Sequence, residues 1–299
     1  MNWHRLLTGE INLTLDLLLG IAIGALIIRT GLADKVMRRA LPWLGKWGIG
    51  ASIGAGLAVG IGSSKAGAAI ISSALDSGRI SPRTAKFGTL LIAFPSYIRR
   101  WITTMILACS LAGWAGALLG ATLLFRTASK FVFNLIMLNR GGHDDAPLLG
   151  TESSDREQSI KKFVLKLLKT IPLAWLFYAL AFLLMPLAEK YLEAWLRGST
   201  FIPLPALAVA VASFAHVTSA LALAGGSLAA GELTVAQAFF ALLFGNTLTL
   251  LTRLVRTNAG YYFGLFPRAL AQSMLLWNLA ETAVLALSTL ALAAIPLLI

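Results

Sequence analysis

The chain has 299 residues, of which 58% are hydrophobic and 13% are charged, and its mean hydropathy is +0.79. Soluble domains carry about 25% charged residues. This composition therefore excludes a disordered chain, a disulfide scaffold and a nucleic-acid-binding domain of the usual hydrophilic kind. It predicts an all-α, polytopic helical membrane protein whose main partner is the lipid bilayer. Because Cys109 is the single cysteine, we expect no internal disulfide and no CxxC metal site. We also expect no cofactor.

The net charge of +12 comes from 25 lysines and arginines against 13 acidic residues. In an apolar chain this excess does not indicate nucleic acid as a partner. Two explanations stay open. Membrane proteins collect basic residues in their cytoplasmic loops, and a site for an anionic ligand also needs basic side chains.

The first predicted spanning helix is Ile11–Ile28, and no basic start followed by a small-residue cleavage site precedes it. We therefore interpret it as a retained helix and not as a signal peptide. Residues 29–48 are strongly basic, which predicts a cytoplasmic position at an inner or plasma membrane. Their apolar positions suit an amphipathic stretch lying on the membrane surface. Residues 1–48 thus form an N-terminal segment.

Residues 49–138 form a second segment. Its first apolar stretch is interrupted by a run rich in glycine and serine, Gly60–Gly67. Glycine weakens a helix interior and serine competes for backbone hydrogen bonds, so we predict a broken helix there. A polar turn and a return span over Thr84–Leu111 follow. The return span is interrupted at Phe94–Ser96, because proline removes a backbone donor. A further helix is predicted over Trp114–Leu138.

Residues 139–169 are the one long polar segment, which we interpret as a cytoplasmic linker. A spanning helix over Thr170–Ala188 and an outside loop then lead into a second membrane segment, so that residues 170–299 form the last domain. The whole chain is expected to contain about eight membrane helices.

The second half repeats features of the first at an offset of 153 residues. At this offset Gly78 aligns with Gly231 and Arg100 with Arg253. The helix break, the polar turn and the arginine therefore occur at equivalent positions in the two halves. Because residues 29–48 are predicted inside and residues 189–200 outside, the two repeats would have inverted topology. Compositional similarity between apolar helices is the alternative explanation.

The two breaks are the best candidates for a substrate site, because non-helical backbone at membrane depth occurs where it is buried in protein or lines a wet cavity. Hydroxyls and free helix N-terminal amides can bind a polar ligand. Helix packing is the alternative role of these small residues. The candidates at the two breaks are Ser63, Ser64, Lys65, His216, Thr218 and Ser219.

The two interruptions supply further candidates, each followed by arginines that would need an anion if they lie deep in the bilayer. These candidates are Pro95, Ser96, Arg100, Asn246, Thr249 and Arg253. Snorkelling to the membrane interface is the alternative, which we prefer for Arg99 and Arg256. Asp16 and Glu281 are candidates for carrying a coupling ion or, alternatively, for pairing with an arginine.

Three runs, Gly60–Gly67, Leu91–Ser96 and Leu243–Thr247, resemble the Gate or nucleoside-recognition family. That family includes segments of ferrous-iron transporter B, spore maturation proteins A and B, and concentrative nucleoside transporters. The resemblance covers roughly residues 45–125 and 203–270, and it implies a helical membrane protein whose broken helices gate a polar solute. Iron-transporting members carry cysteine near the break, where this chain has Ser63 and Ser64.

The leading hypothesis is a secondary transporter, not an enzyme, that moves a small polar solute by alternating access around a shared midplane site, with an anion favoured over a neutral molecule. Its subunits could form a homo-oligomer. Two alternatives remain. One is a non-transporting accessory membrane protein of the spore-maturation type. The other is an intramembrane enzyme acting on a lipid phosphate, for which His216 and Ser219 lack an oriented third member.

Overall fold

The computed structural model describes residues 46–140, 203–250 and 254–298, together with isolated helical positions at 11, 172, 175 and 176. Within these ranges the chain is helical and contains no β-strand, which confirms the predicted all-α class. The predictions for 12–45 and, apart from positions 172, 175 and 176, those for 141–202 lie outside the described residues. At positions 99, 100, 214, 215, 255, 256 and 298 the description covers the backbone alone.

The α-helices of the described ranges are α1 (Ala51–Gly62), α2 (Ser64–Asp76), α3 (Pro82–Leu91), α4 (Ala93–Asn139), α5 (Leu204–Ala215), α6 (Val217–Ala229), α7 (Val235–Leu248), α8 (Gly260–Leu265) and α9 (Arg268–Leu298). A π-helical turn, Val255–Ala259, precedes α8. The helices form two compact units. Unit 1 takes its described residues from Met1–Tyr97, Ala128–Ala179 and Arg256–Asn278, and unit 2 takes them from Ile98–Thr127, Leu180–Val255 and Leu279–Ile299.

In unit 1, α1 and α2 fold back on each other as a helical hairpin with one residue at its tip. That residue, Ser63, is extended, with φ −149° and ψ 114°. Its Oγ accepts a hydrogen bond from the Ala66 N–H at 3.3 Å, which caps the start of α2. A Cβ on Gly67 would overlap the carbonyl oxygen of Gly56, so glycine is what lets the two backbones touch. The predicted break is confirmed, but the chain also reverses direction there.

Unit 2 contains a second hairpin, made by α5 and α6, whose tip is His216. This residue is also extended, with φ −166° and ψ 140°. Its Nδ1 accepts a hydrogen bond from the Thr218 N–H at 3.2 Å. Both helices of this hairpin begin and end 153 residues after their counterparts in the first hairpin (204 minus 51 for the starts of α5 and α1).

Each hairpin leads into a capped helix through a tight turn. The turns contain Gly78 with φ +68° and Gly231 with φ +72°, a left-handed conformation that favours glycine. Ser81 then caps α3, and Thr234 caps α7 through a capping box with Gln237. These polar residues therefore fix where both helices start.

The return span is interrupted at Ile92, between α3 and α4, and not at Phe94–Ser96 as predicted. Pro95 instead lies in the first turn of α4. A proline is tolerated in a first helical turn because the N–H that it lacks would have no partner within the helix there. In the second half α7 ends at Leu248, and Thr249 follows it within the predicted interruption.

Helix α4 bends sharply within unit 2, where Ala112 and Gly113 leave helical geometry and Gly113 has φ +52°. Its two arms pack against each other. Trp101 Nε1 donates a hydrogen bond to the Gly120 carbonyl at 2.8 Å, and a Cβ on Gly116 would overlap the Ala108 carbonyl. The bend confirms the predicted boundary between the return span and the following helix.

Each unit has its own apolar core. In unit 1 the largest buried side chains include Ile53, Ile71 and Tyr262, and Ser72 Oγ donates to the Leu265 carbonyl at 2.5 Å. In unit 2 the core is rich in alanine around Leu221 and Leu242. Small side chains of this kind allow close helix packing.

Two stretches of the described part are long and apolar enough to cross a membrane by length and composition, Arg268–Leu297 and Trp101–Asn139, and the second contains the bend at Ala112 and Gly113. Only 17% and 28% of their most apolar windows are buried, respectively. Their exposed faces carry large apolar side chains, such as Trp114 at 78% exposed and Leu276 at 64%. The core helix of a soluble protein is mostly buried, so this exposure sets both helices apart from it.

Replacing Gly67 with alanine tests the hairpin contact. The new Cβ meets the Gly56 carbonyl, a backbone group that cannot move freely, so we expect a loss of about 1–3 kcal/mol in the free energy of unfolding. Gly226→Ala in α6 is the matched control, because nothing lies within 4 Å of its new Cβ. That change should raise stability by up to about 1 kcal/mol. Thermal unfolding in detergent measures the stability of both variants. Equal changes in stability would contradict the contact between Gly67 and the Gly56 carbonyl.

Candidate functional site

The tip of the first hairpin presents the residues predicted at the first break. Ser63, Ser64 and Lys65 are all half-buried. The Ser63 hydroxyl oxygen accepts from the Ala66 N–H, and α2 begins at Ser64, so the tip contains the first turn of a helix. The amides of a helix N-terminus, with two hydroxyls and an ammonium group close in sequence, are suited to a polar or anionic ligand.

The tip of the second hairpin is more open. His216 and Ser219 are exposed, and Thr218 is half-buried. Because His216 Nδ1 accepts from the Thr218 N–H, the neutral imidazole carries its proton on Nε2. That nitrogen is therefore the donor that the second tip can offer to a ligand.

In each unit the interrupted helix contacts the hairpin near its tip. A Cβ on Gly60 would lie 2.5 Å from Ile92 Cγ2, and a Cβ on Gly245 would lie 2.5 Å from Ser213 Oγ. The two contacts are equivalent at the 153-residue offset (213 minus 60, and 245 minus 92). The glycine, however, stands on the hairpin in unit 1 and on the facing helix in unit 2. In each unit, therefore, one of the two contacting residues has a side chain and the other is glycine.

The predicted residues of the second interruption are buried. Asn246 is 7% exposed and Thr249 is 4% exposed. Thr249 Oγ1 donates a hydrogen bond to the backbone carbonyl of Asn246 at 3.0 Å. Thr247, which directly follows Asn246, donates its hydroxyl proton to the Leu243 carbonyl at 2.8 Å. The hydroxyl oxygen of Thr247 can still accept a hydrogen bond, and it accepts one from an arginine.

That arginine is Arg126, on the second arm of α4 in unit 2, and it is 6% exposed. Its Nε donates to Thr289 Oγ1 at 2.7 Å. Its Nη2 donates to the Ala286 carbonyl at 3.1 Å and to Thr247 Oγ1 at 3.4 Å. Its Nη1 is buried and has no hydrogen-bond partner among the described residues. Arg126 is therefore a buried cation whose described partners are all neutral oxygens.

Two lysines of unit 1 are held differently. Lys86 Nζ donates to Ser273 Oγ at 2.9 Å and lies 4.5 Å from the ring centre of Trp277. Lys130 donates to Asn278 Oδ1, and the amide of Asn278 donates to the Tyr262 hydroxyl at 3.3 Å. Neither lysine is as buried as Arg126.

The remaining candidates are placed only in part. Asp16 and Arg253 lie outside the described residues, and Arg100 lies in α4 with its side chain not described. Glu281 is half-buried on α9. Of the residues at the first interruption, Pro95 is half-buried and Ser96 is 8% exposed.

Sequence reasoning did not single out Arg126, although a usable signal was present. Arg126 stands near the middle of the predicted helix Trp114–Leu138, about 18 Å from either end at 1.5 Å per residue. A side chain at that position is too far from the ends to snorkel. Its partners Thr247 and Thr289 lie more than 100 residues away in sequence, so the cluster itself could not be predicted.

Comparisons of the chain with protein-family models, curated proteins and solved structures give no match. The resemblance to the Gate family therefore depends on the motif residues alone.

The contact between Gly60 and Ile92 can be tested by a double-mutant cycle. Gly60→Ala forces the new Cβ against Ile92 Cγ2, and Ile92→Ala removes that atom. Gly60→Ala should therefore cost less stability in the Ile92→Ala background, with a coupling of about 0.5–3 kcal/mol. Thermal or denaturant unfolding of the four proteins gives this coupling. Additive effects would mean that the two residues do not touch.

Proposed function

We propose that this chain is an integral membrane protein. Two observations support the proposal: the helices Trp101–Asn139 and Arg268–Leu297 are long and apolar enough to span, and most of their apolar surface is not covered by protein. Leu287 and Leu292 on α9 are 62% and 64% exposed, which is costly in water and favourable in lipid.

The two hairpins are re-entrant elements in this proposal. A helix of 12 residues, such as α1 or α5, is about 18 Å long, whereas the hydrocarbon core is about 30 Å thick. Such a helix cannot cross, and a hairpin of two of them returns to the side from which it enters. Irregular backbone at membrane depth is stable where protein buries it or water reaches it. The tips at Ser63 and His216 are therefore placed where a polar solute would pass.

The matched element bounds support an internal repeat. Hairpin, glycine turn and capped helix follow one another in both halves at one offset, and the contact between Gly60 and Ile92 recurs between Ser213 and Gly245. We assign the two halves to inverted-topology repeats, because the charge of the flanking loops predicts opposite entry sides.

The function that this arrangement supports best is secondary transport of a small polar solute, with an anion favoured. The observation that carries this proposal is the pair of hairpins with an extended residue at each tip. Paired re-entrant tips give alternating access a simple mechanism, because each hairpin can open its own side in turn. The resemblance to the Gate family supports the same function.

Thiol labelling in proteoliposomes tests this function. In a Cys109→Ser background, Ser63→Cys and His216→Cys place a thiol at each tip, and Ser288→Cys on the exposed face of α9 is the control. We expect a hydrophilic maleimide to label both tips at least tenfold faster than the control. A transported solute should slow labelling at the tips. Tips that label as slowly as position 288 would contradict an aqueous path. Fast labelling that no solute changes, without any uptake, would favour the accessory-protein alternative.

Arg100 and Arg253 provide a second prediction. If they bind the anion, Arg100→Ala and Arg253→Ala should each lower solute uptake or binding at least tenfold with unchanged thermal stability, because a charge-assisted hydrogen bond is lost. Arg99→Ala and Arg256→Ala are the controls, since we expect these side chains to reach the interface. Wild-type uptake in both test variants would exclude an anion site at these residues.

A further inference from the structure

Arg126 makes only some of the hydrogen bonds that a buried guanidinium can make. A guanidinium has five N–H donors, and three of them are used here, by Thr289 Oγ1, the Ala286 carbonyl and Thr247 Oγ1. The two N–H groups of Nη1 are buried without a partner in the part of the chain that the structure describes. Leaving a buried donor unsatisfied is costly, and more so for a charged group.

No partner of Arg126 recorded among the described residues carries a negative charge, since its three acceptors are two hydroxyls and one carbonyl. An arginine cannot neutralise itself by losing its proton. An unpaired buried ion is costly by several kcal/mol, whereas a buried charge with a counter-ion is common.

We propose that Nη1 of Arg126 binds a small anion within unit 2. The ligand contributes a single acceptor atom, because the bidentate pairing of an arginine with a carboxylate or phosphate normally uses two nitrogens, and Nε and Nη2 are already bonded. A halide or one oxygen of a small oxyanion has the right chemistry. This site deepens the proposed function by giving the solute a negative charge, and it depends on that function for the claim that the anion is transported.

The two threonines act as positioning residues. Thr247 and Thr289 donate their hydroxyl protons to carbonyls of their own helices, Leu243 at 2.8 Å and Leu285 at 2.7 Å. Their oxygens are thereby left to accept from Arg126. This arrangement fixes the plane of the guanidinium, so Nη1 is held in one orientation and loses little rotamer entropy on binding.

Anion-dependent stability of the purified full-length protein tests the site. At constant ionic strength, sodium gluconate is replaced stepwise by chloride, bromide, nitrate, phosphate or acetate, and the Tm is followed. We expect at least one small anion to raise the Tm saturably in the wild type. Arg126→Gln should remove this dependence, whatever its own Tm. Thr247→Val should weaken the apparent affinity about tenfold, the equivalent of one lost hydrogen bond. Arg268→Gln, at an exposed arginine, should leave it unchanged.

The outcomes separate this site from the proposed transport. No saturable anion effect in the wild type, or an undiminished effect in Arg126→Gln, overturns the inference. If Arg126→Gln does not fold, difference density from wild-type crystals soaked in the anion that raises the Tm decides the question, since density at Nη1 supports the site and its absence overturns it. Uptake of the bound anion into proteoliposomes, lost in Arg126→Gln, identifies it as the transported solute. Binding without uptake supports a fixed counter-ion at Arg126 and contradicts the transport proposal.

Discussion

Backbone contact between short helices holds each part of this structure in place, and glycine makes that contact possible. Gly67 lies against the Gly56 carbonyl inside the first hairpin, and Gly116 lies against the Ala108 carbonyl at the bend of α4. A single added methyl group would separate either pair. Because the helices α1 and α2 touch along their backbones, one extended residue is enough to reverse the chain between them.

The same contact appears in both units with its side chains exchanged. In unit 1 the hairpin supplies Gly60 and the facing segment supplies Ile92, while in unit 2 the hairpin supplies Ser213 and the facing helix supplies Gly245. Each contact pairs one glycine with one larger residue, isoleucine in unit 1 and serine in unit 2. The proposed internal repeat accounts for this equivalence of position. A hairpin supported in this way can present polar atoms at its tip, which is what the proposed transport needs.

The sequence was informative wherever local chemistry decides the structure. Glycine and serine at 60–67 marked the first break, and Gly78 and Gly231 marked the turns. The interruption predicted at Phe94–Ser96 was wrong, because Pro95 lies in the first turn of α4, where a proline does not break the helix. The sequence could not predict the reversal at Ser63 or the partners of Arg126. Both depend on contacts between residues distant in sequence, which no local pattern encodes.

The central claim is that α1 and α2 enter a bilayer and return from it on the same side. The most direct measurement is a depth profile by spin labelling along residues 51–76 in nanodiscs, comparing collision rates with oxygen and with a water-soluble nickel complex. A re-entrant hairpin predicts matching depths at positions equally distant from Ser63 on the two helices, with access to the nickel complex at the tip. A depth that changes steadily in one direction from α1 through α2 would mean that this segment crosses the membrane, and it would contradict the hairpin and the gating role assigned to it.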